Sequence, residues 1–137
     1  MGTSSSRGVE SSGEVSRLLD NAEAGLAAVQ QLQRIYDDAM WDIEDPLFSK
    51  LRHIHLHLSI TVGKVAKLVE PLDHEDHRGD SVDLRSVRDD LAPLVADLLI
   101  HAAQIANIAD GDLRSWIEER FKKNAARFAP ESEFAKL

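Results

Sequence analysis

Residues 53–58 read HIHLHL, with a histidine at every second position. On a strand, side chains two apart share a face, and His53, His55 and His57 would converge as a metal site requires. On a helix, residues two apart point about 200° apart, so His55 turns away from the other two. The flanking pattern decides between these. Leu47, Leu51, Ile54, Leu58, Val62, Val65 and Val69 step by three or four residues. No strand pattern lasts that long. HIHLHL is therefore read as helix, and it sets the class of the whole chain.

The same period appears on either side. Residues 14–40 are rich in helix formers, lack proline, and place Val15, Leu18, Leu19, Ala22, Leu26, Val29, Leu32 and Ile35 at helical spacing. WDIEDP breaks the pattern, with Asp45 as a candidate N-cap and Pro46 in the first turn of the second helix. EPLDHEDHRGD, residues 70–80, reads as a loop because of Pro71, Gly79 and its acidic residues. A third helix covers about 83–109 on the stripe Leu84, Val87, Leu91, Leu94, Leu98, Ala102, Ile105 and Ile108. Pro93 either sits in the first turn of a helix starting near Asp89 or kinks a longer one. ADGD at 109–112 is a turn, Asp112 a candidate cap for the last helix, and Pro130 its stop. The expected fold is all-α, a four-helix bundle with short connections. Residues 1–13 read as a disordered tail, 14–129 as the helical domain and 130–137 as a C-terminal tail.

Composition narrows the function classes. The 137 residues are 43% apolar, enough for one domain with a core. There is no cysteine, hence no disulfide framework and no thiolate metal site, which fits a cytoplasmic location. No apolar run approaches the roughly 18 residues of a membrane span, so no membrane partner is expected. The N-terminal stretch lacks the apolar core of a secretory signal. A net charge of −8 argues against nucleic acid as a partner. Residues 111–137 are the exception, with six Lys/Arg against five Asp/Glu.

As a helix, HIHLHL leaves one useful pair. His53 and His57 are i, i+4, about 40° apart on one face, a spacing that can hold a metal with a third ligand from elsewhere. Asp97 and His101 have the same spacing on the third helix. If helices two and three are antiparallel neighbours, His57, Asp97 and His101 face one another. The commoner arrangement is a set of half-buried histidines bonded to carbonyls or carboxylates. His74 and His77, in DHEDH, read as part of a solvated acidic loop, with loose metal binding as the alternative.

The order of features then carries a resemblance. MWDIEDP, LHLSITVGKVAKLVE and LRSVRDDLAPLVADLLIHAAQIANIADGDLRSWIEERFKKNAARF follow one another over residues 41–128. In this order and spacing the chain resembles the MazG-like all-α nucleotide pyrophosphohydrolase superfamily, most closely over 87–128. The resemblance implies a homo-oligomer, dimer or tetramer, and cleavage of nucleoside triphosphates to monophosphates and pyrophosphate. It also implies Mg²⁺ held by carboxylates on facing helices, since Mg²⁺ takes oxygen ligands. The family's Glu-x-Gly-Glu falls on TVGK, where Gly63 matches but Thr61 and Lys64 replace both glutamates. On the third helix Leu94 replaces a glutamate and Asp97 matches. Asn124 and Arg127 match positions that contact phosphate or base, and Arg120 keeps a lysine's charge; Lys123 adds to this basic end.

One aspartate cannot hold a cluster of two or three metals, and phosphoryl chemistry depends on that positioning. The expectation is a noncatalytic, degenerate member, a pseudoenzyme with no cofactor, in which Lys64 pairs with Asp97 in place of Mg²⁺. Arg120, Lys123, Asn124 and Arg127 would still hold the phosphates of a nucleotide. The alternative is an active pyrophosphohydrolase with relocated ligands, His57, Asp97 and His101, using Mn²⁺ or Zn²⁺ (or Mg²⁺, if carboxylates near the helix ends contribute). A protein-binding module unrelated to nucleotides is the third possibility.

Overall fold

Helical periodicity is realised in four helices: α1 (Ser6–Met40), α2 (Leu47–His77), α3 (Arg88–Ile108) and α4 (Leu113–Phe128). The structure, a computed structural model, describes residues 6–40 and 47–137, and side chains for 13–40 and 49–137. Asp45 and Pro46, read as the start of α2, lie outside the described residues. No strand occurs among the described residues. α3 packs against both α1 and α2, and α4 packs on α1.

Two boundaries differ from the sequence reading, and the second has a local cause. α1 reaches back to Ser6, into the stretch read as a tail. α2 runs through Pro71 to His77, so DHEDH is its last turn and not a loop. Proline removes one ladder bond, here to the carbonyl of Lys67 four residues back; both positions are exposed, so the lost bond falls on the solvent side of the helix. The stop comes at Gly79, with φ 78°. Its N–H donates to Asp76 O at 2.9 Å and that of Asp80 to Glu75 O at 3.0 Å, a Schellman cap.

Pro93 matches neither of its two alternatives in full: α3 starts near Asp89, but Pro93 is its sixth residue and lies inside the helix, beyond the first turn. A short 3₁₀ turn, Leu84–Val87, capped by Asp83 through the Arg85 N–H, precedes α3, which starts at Arg88. α3 ends in another Schellman cap: Asp110 (φ 52°) donates to Asn107 O at 3.3 Å and Gly111 to Ala106 O at 2.8 Å. Asp112 then caps α4 as expected, its Oδ1 accepting from Arg114 N at 3.1 Å. The C-terminal tail folds back as a 3₁₀ turn, Glu133–Lys136, which sets the Phe134 ring 5.3 Å from that of Phe121.

The buried centre holds polar as well as apolar groups. Ile54 is 1% exposed, and Ala103, Ala106 and Ala125 are buried, but so are Glu23, Gln30, Gln33, Thr61 and Gln104. Gln30 joins α1 to the α3–α4 turn. Its Nε2 donates to Gly111 O at 3.0 Å and Asn107 Oδ1 at 3.2 Å, and its Oε1 accepts the first N–H of α4, from Leu113, at 2.7 Å. An N–H that every helix start leaves unpaired is thus satisfied by a side chain from another helix.

The apolar stripe expected along α1 is only half right. Val15, Leu19 and Leu26 are half-buried, but Leu18, Leu32 and Ile35 are exposed. The side of α1 turned to its own chain carries Glu23, Gln30 and Gln33 instead.

Candidate functional site: a cleft between α1, α2 and α3

α1, α2 and α3 enclose a cleft of about 590 Å³. α1 contributes Gln33, Tyr36 and Met40; α2 contributes His53, Ile54 and His57; α3 contributes Asp97, Ile100, His101 and Gln104. The helical period accounts for the grouping. His53 and His57 are one turn apart on α2, Asp97, His101 and Gln104 follow one another along one side of α3, and Gln33, Tyr36 and Met40 do so on α1.

The polar walls are tied together. His53 and His57 approach with Nε2 atoms 3.0 Å apart and ring centroids 4.5 Å apart, nearly edge to face. Opposite them, His101 Nδ1 meets Gln104 Oε1 at 3.1 Å. Gln104 Nε2 donates to Asp37 Oδ1 at 3.1 Å, and the same oxygen accepts from Gln33 Nε2 at 2.9 Å. This chain of bonds fixes the amide orientation of Gln104 and links α1 to α3 beside the cleft.

His57, Asp97 and His101 therefore do face one cleft, as the spacing implied. Among the described residues, however, no three His, Asp or Glu side chains converge closely enough to hold a metal ion. His55, on the opposite side of α2, is exposed and lines none of the cleft.

The positions of the acidic motifs divide differently. Thr61 is buried, Leu94 and Asp97 are half-buried, and Lys64 is exposed. Lys64 belongs to none of the ion pairs among the described residues, so the expected Lys64–Asp97 pair is not formed. The reason is its place on α2: the inward stripe runs through Ile54, Leu58, Thr61, Val65 and Leu68, and Lys64 falls beside that stripe among exposed residues.

Arg120, Lys123, Asn124 and Arg127 are all exposed on α4 and do not line the cleft. Lys123 pairs with Glu119 at 2.8 Å, which holds the Glu119 carboxyl below its ordinary range, and the Arg127 guanidinium lies 4.9 Å from the Phe128 ring centre. The cations nearest the cleft are others. A smaller depression of about 270 Å³ shares Ile54 and Gln104 with it and contains Arg34, Asp37, Asp38 and Lys50.

Sequence reasoning missed Gln33, Tyr36, Gln104, Arg34 and Lys50. A signal existed for the glutamines, because Gln30, Gln33 and Gln104 interrupt otherwise apolar helix faces. None existed for Arg34 and Lys50, whose proximity depends on how α1 and α2 sit on α3.

Comparison with protein-family models, with curated proteins and with solved structures gives no match. Among the described residues one helical segment, Leu84–Ile108, is long and apolar enough to cross a membrane, contrary to the sequence expectation. The central helix of a bundle has the same character, and this segment packs against both α1 and α2.

Proposed function

We propose that the chain is a noncatalytic nucleotide-binding subunit of a MazG-like homo-oligomer, with the α1–α3 cleft as its ligand site. The observation that carries this reading is the cleft itself. Its volume lies in the range of small-molecule sites, and its lining joins an aromatic ring and apolar side chains to a few fixed polar groups. Tyr36 offers a face for a base, and Gln33 and Gln104 offer amides anchored through Asp37. Arg34 and the half-buried Lys50 stand beside the cleft where phosphates leaving it would pass. The basic end of α4 is too dispersed on an exposed face to take that part within one chain.

Isothermal titration with a nucleoside triphosphate in the presence of a chelator tests this. Saturable binding that Tyr36→Ala and Lys50→Ala each weaken at least tenfold supports it. Heats unaffected by either substitution would place any nucleotide elsewhere.

A second reading is favoured by one observation, the shared cleft position of His57, Asp97 and His101. With Mn²⁺ or Zn²⁺ drawn between them by side-chain rotation, the site would become a metal-dependent pyrophosphohydrolase. Pyrophosphate release that needs the metal and disappears in the His57→Ala, His101→Ala double variant would establish it.

A further inference from the structure

Three linked hydrogen bonds fix the polarity of one part of the cleft. Asp37 Oδ1 lies 3.1 Å from the Gln104 amide and 2.9 Å from that of Gln33. A carboxylate only accepts, so both glutamines turn their amide nitrogens to it. Gln104 Oε1 is then on the other side of its amide, 3.1 Å from His101 Nδ1. An amide oxygen also only accepts, so a neutral His101 carries its proton on Nδ1. Its Nε2 is left as a lone pair.

Gln33, with its nitrogen turned to Asp37, keeps its Oε1, and both Gln33 and His101 line the cleft. Asp97 lines it too, half-buried and one turn before His101 on the same face of α3. Among the described residues, the Asp97 carboxylate, His101 Nε2 and Gln33 Oε1 have no hydrogen-bond or ion-pair partner. These side chains therefore offer the cleft a set of acceptors.

Nothing opposite neutralises them. On α2 the Nε2 atoms of His53 and His57 meet each other, 3.0 Å apart. The cations Arg34 and Lys50 stand in the adjoining depression, outside the cleft. Acceptors inside and cations beside them suit a ligand that buries N–H groups and leaves its anionic part at the edge. Half-buried acceptors without partners cost free energy, which such N–H donors recover.

Among nucleobases this pattern is selective. Guanine presents N1–H and its 2-amino group side by side, a fork that one carboxylate accepts, and the amino group has a second N–H for a further acceptor. Adenine would turn a ring-nitrogen lone pair to the same carboxylate, and hypoxanthine lacks the amino group. We infer that the cleft reads the guanine of a nucleotide. Asp97 accepts N1–H and one amino N–H, and His101 Nε2 accepts the other. Asp37 and Gln104 are positioning residues that act through the His101 tautomer. This inference rests on the nucleotide site of the proposed function and names its base.

The relay is tested without ligand, by ¹⁵N NMR of the imidazoles at about pH 8, above the ordinary imidazole range. His101, assigned by loss of its signal in His101→Gln, should carry its proton on Nδ1. Asp37→Asn, which lets the Gln104 amide turn either way, should give a mixture of tautomers. An Nε2–H tautomer in the wild type would overturn the relay, and an unchanged Nδ1–H tautomer in Asp37→Asn would overturn the part of Asp37 in it. The base is tested by isothermal titration with guanosine, inosine, adenosine and xanthosine triphosphates in a chelator. Guanosine triphosphate should bind at least about tenfold tighter than the inosine and adenosine compounds, as expected for a hydrogen bond to a charged group. Asp97→Asn, which offers an N–H in place of one oxygen, should shift the preference toward xanthosine triphosphate, whose 2-oxo group accepts. Equal binding of guanosine and inosine triphosphates, or a preference unmoved by Asp97→Asn, would overturn the guanine reading and leave the nucleotide site standing. No binding of any of these nucleotides would overturn both.

Discussion

Gln30 and Leu113 are joined by a 2.7 Å hydrogen bond in which a side chain of α1 accepts the first N–H of α4, 83 residues away. The same carboxamide donates to Gly111 O and Asn107 Oδ1, and the Gln30 carbonyl accepts from Asn107 Nδ2 at 3.0 Å. One buried amide thus registers α1 against the end of α3 and the start of α4.

Gln30→Ala removes the side-chain bonds and leaves buried donors and acceptors without partners. A loss of roughly 2–4 kcal/mol is expected, from one or two unsatisfied groups at about 1–3 kcal/mol each. Urea denaturation with unchanged m-value reads it directly. A change within ~0.5 kcal/mol, the usual size for a surface substitution, would mean that water takes over these bonds.

Gly111 follows Asp110 in the α3–α4 turn, and a Cβ there would fall within the Trp116 indole. Gly111→Ala should cost about 1–3 kcal/mol as a steric insertion. The clash has a single named partner, so Gly111→Ala combined with Trp116→Ala should cost less than the sum of the two single changes. Strict additivity in a double-mutant cycle would rule out the contact as the cause.

Glu23 carries the clearest pH signature. Burial is the main cause that raises its pKa, followed by the hydrogen bond and charge of Glu118, and Arg114, 3.7 Å away, opposes the shift. A carboxyl whose folded pKa is raised favours folding below its unfolded value, and that contribution is lost as pH rises through the folded pKa. Glu23→Gln should therefore raise Tm at neutral pH relative to wild type, with the difference shrinking as pH falls below the ordinary carboxylate range. A variant that melts below the wild type at neutral pH, with the deficit closing on acidification, would show that the Arg114 pairing dominates.

Lys64 is the position where structure and sequence expectation part most clearly. The reading of a buried Lys64–Asp97 pair required several kcal/mol from Lys64→Ala. With Lys64 exposed and outside every ion pair among the described residues, the expected change is within about 0.5 kcal/mol. Thermal melts of the variant decide, and a drop of several degrees would restore the pair.

The all-α fold was legible because the step of three and four around Ile54, Leu58 and Val65 admits no strand, and Asp112 announced its own cap. Pro71 misled because an exposed proline breaks one bond without ending a helix; Gly79 was the effective stop. α1 misled for a different reason. Leu18, Leu32 and Ile35 keep helical period whether they face the core or not, and periodicity does not say which. Of the cleft, His57, Asp97 and His101 were legible from their i, i+4 spacing. Tyr36, Arg34 and Lys50 were not, because their place follows from packing between helices far apart in sequence.

The central claim is that the cleft takes a nucleotide without a catalytic metal cluster. Its most direct test is a thermal-shift series of the wild type and the His57→Ala, His101→Ala variant against nucleoside triphosphates, with and without Mg²⁺, Mn²⁺ and Zn²⁺. At 100 times its dissociation constant a ligand adds about 2.7 kcal/mol to stability, which a melting curve resolves. The account expects a rise with nucleotide alone that is reduced in the histidine variant. No rise with any nucleotide, or a rise only when metal is present, would contradict it.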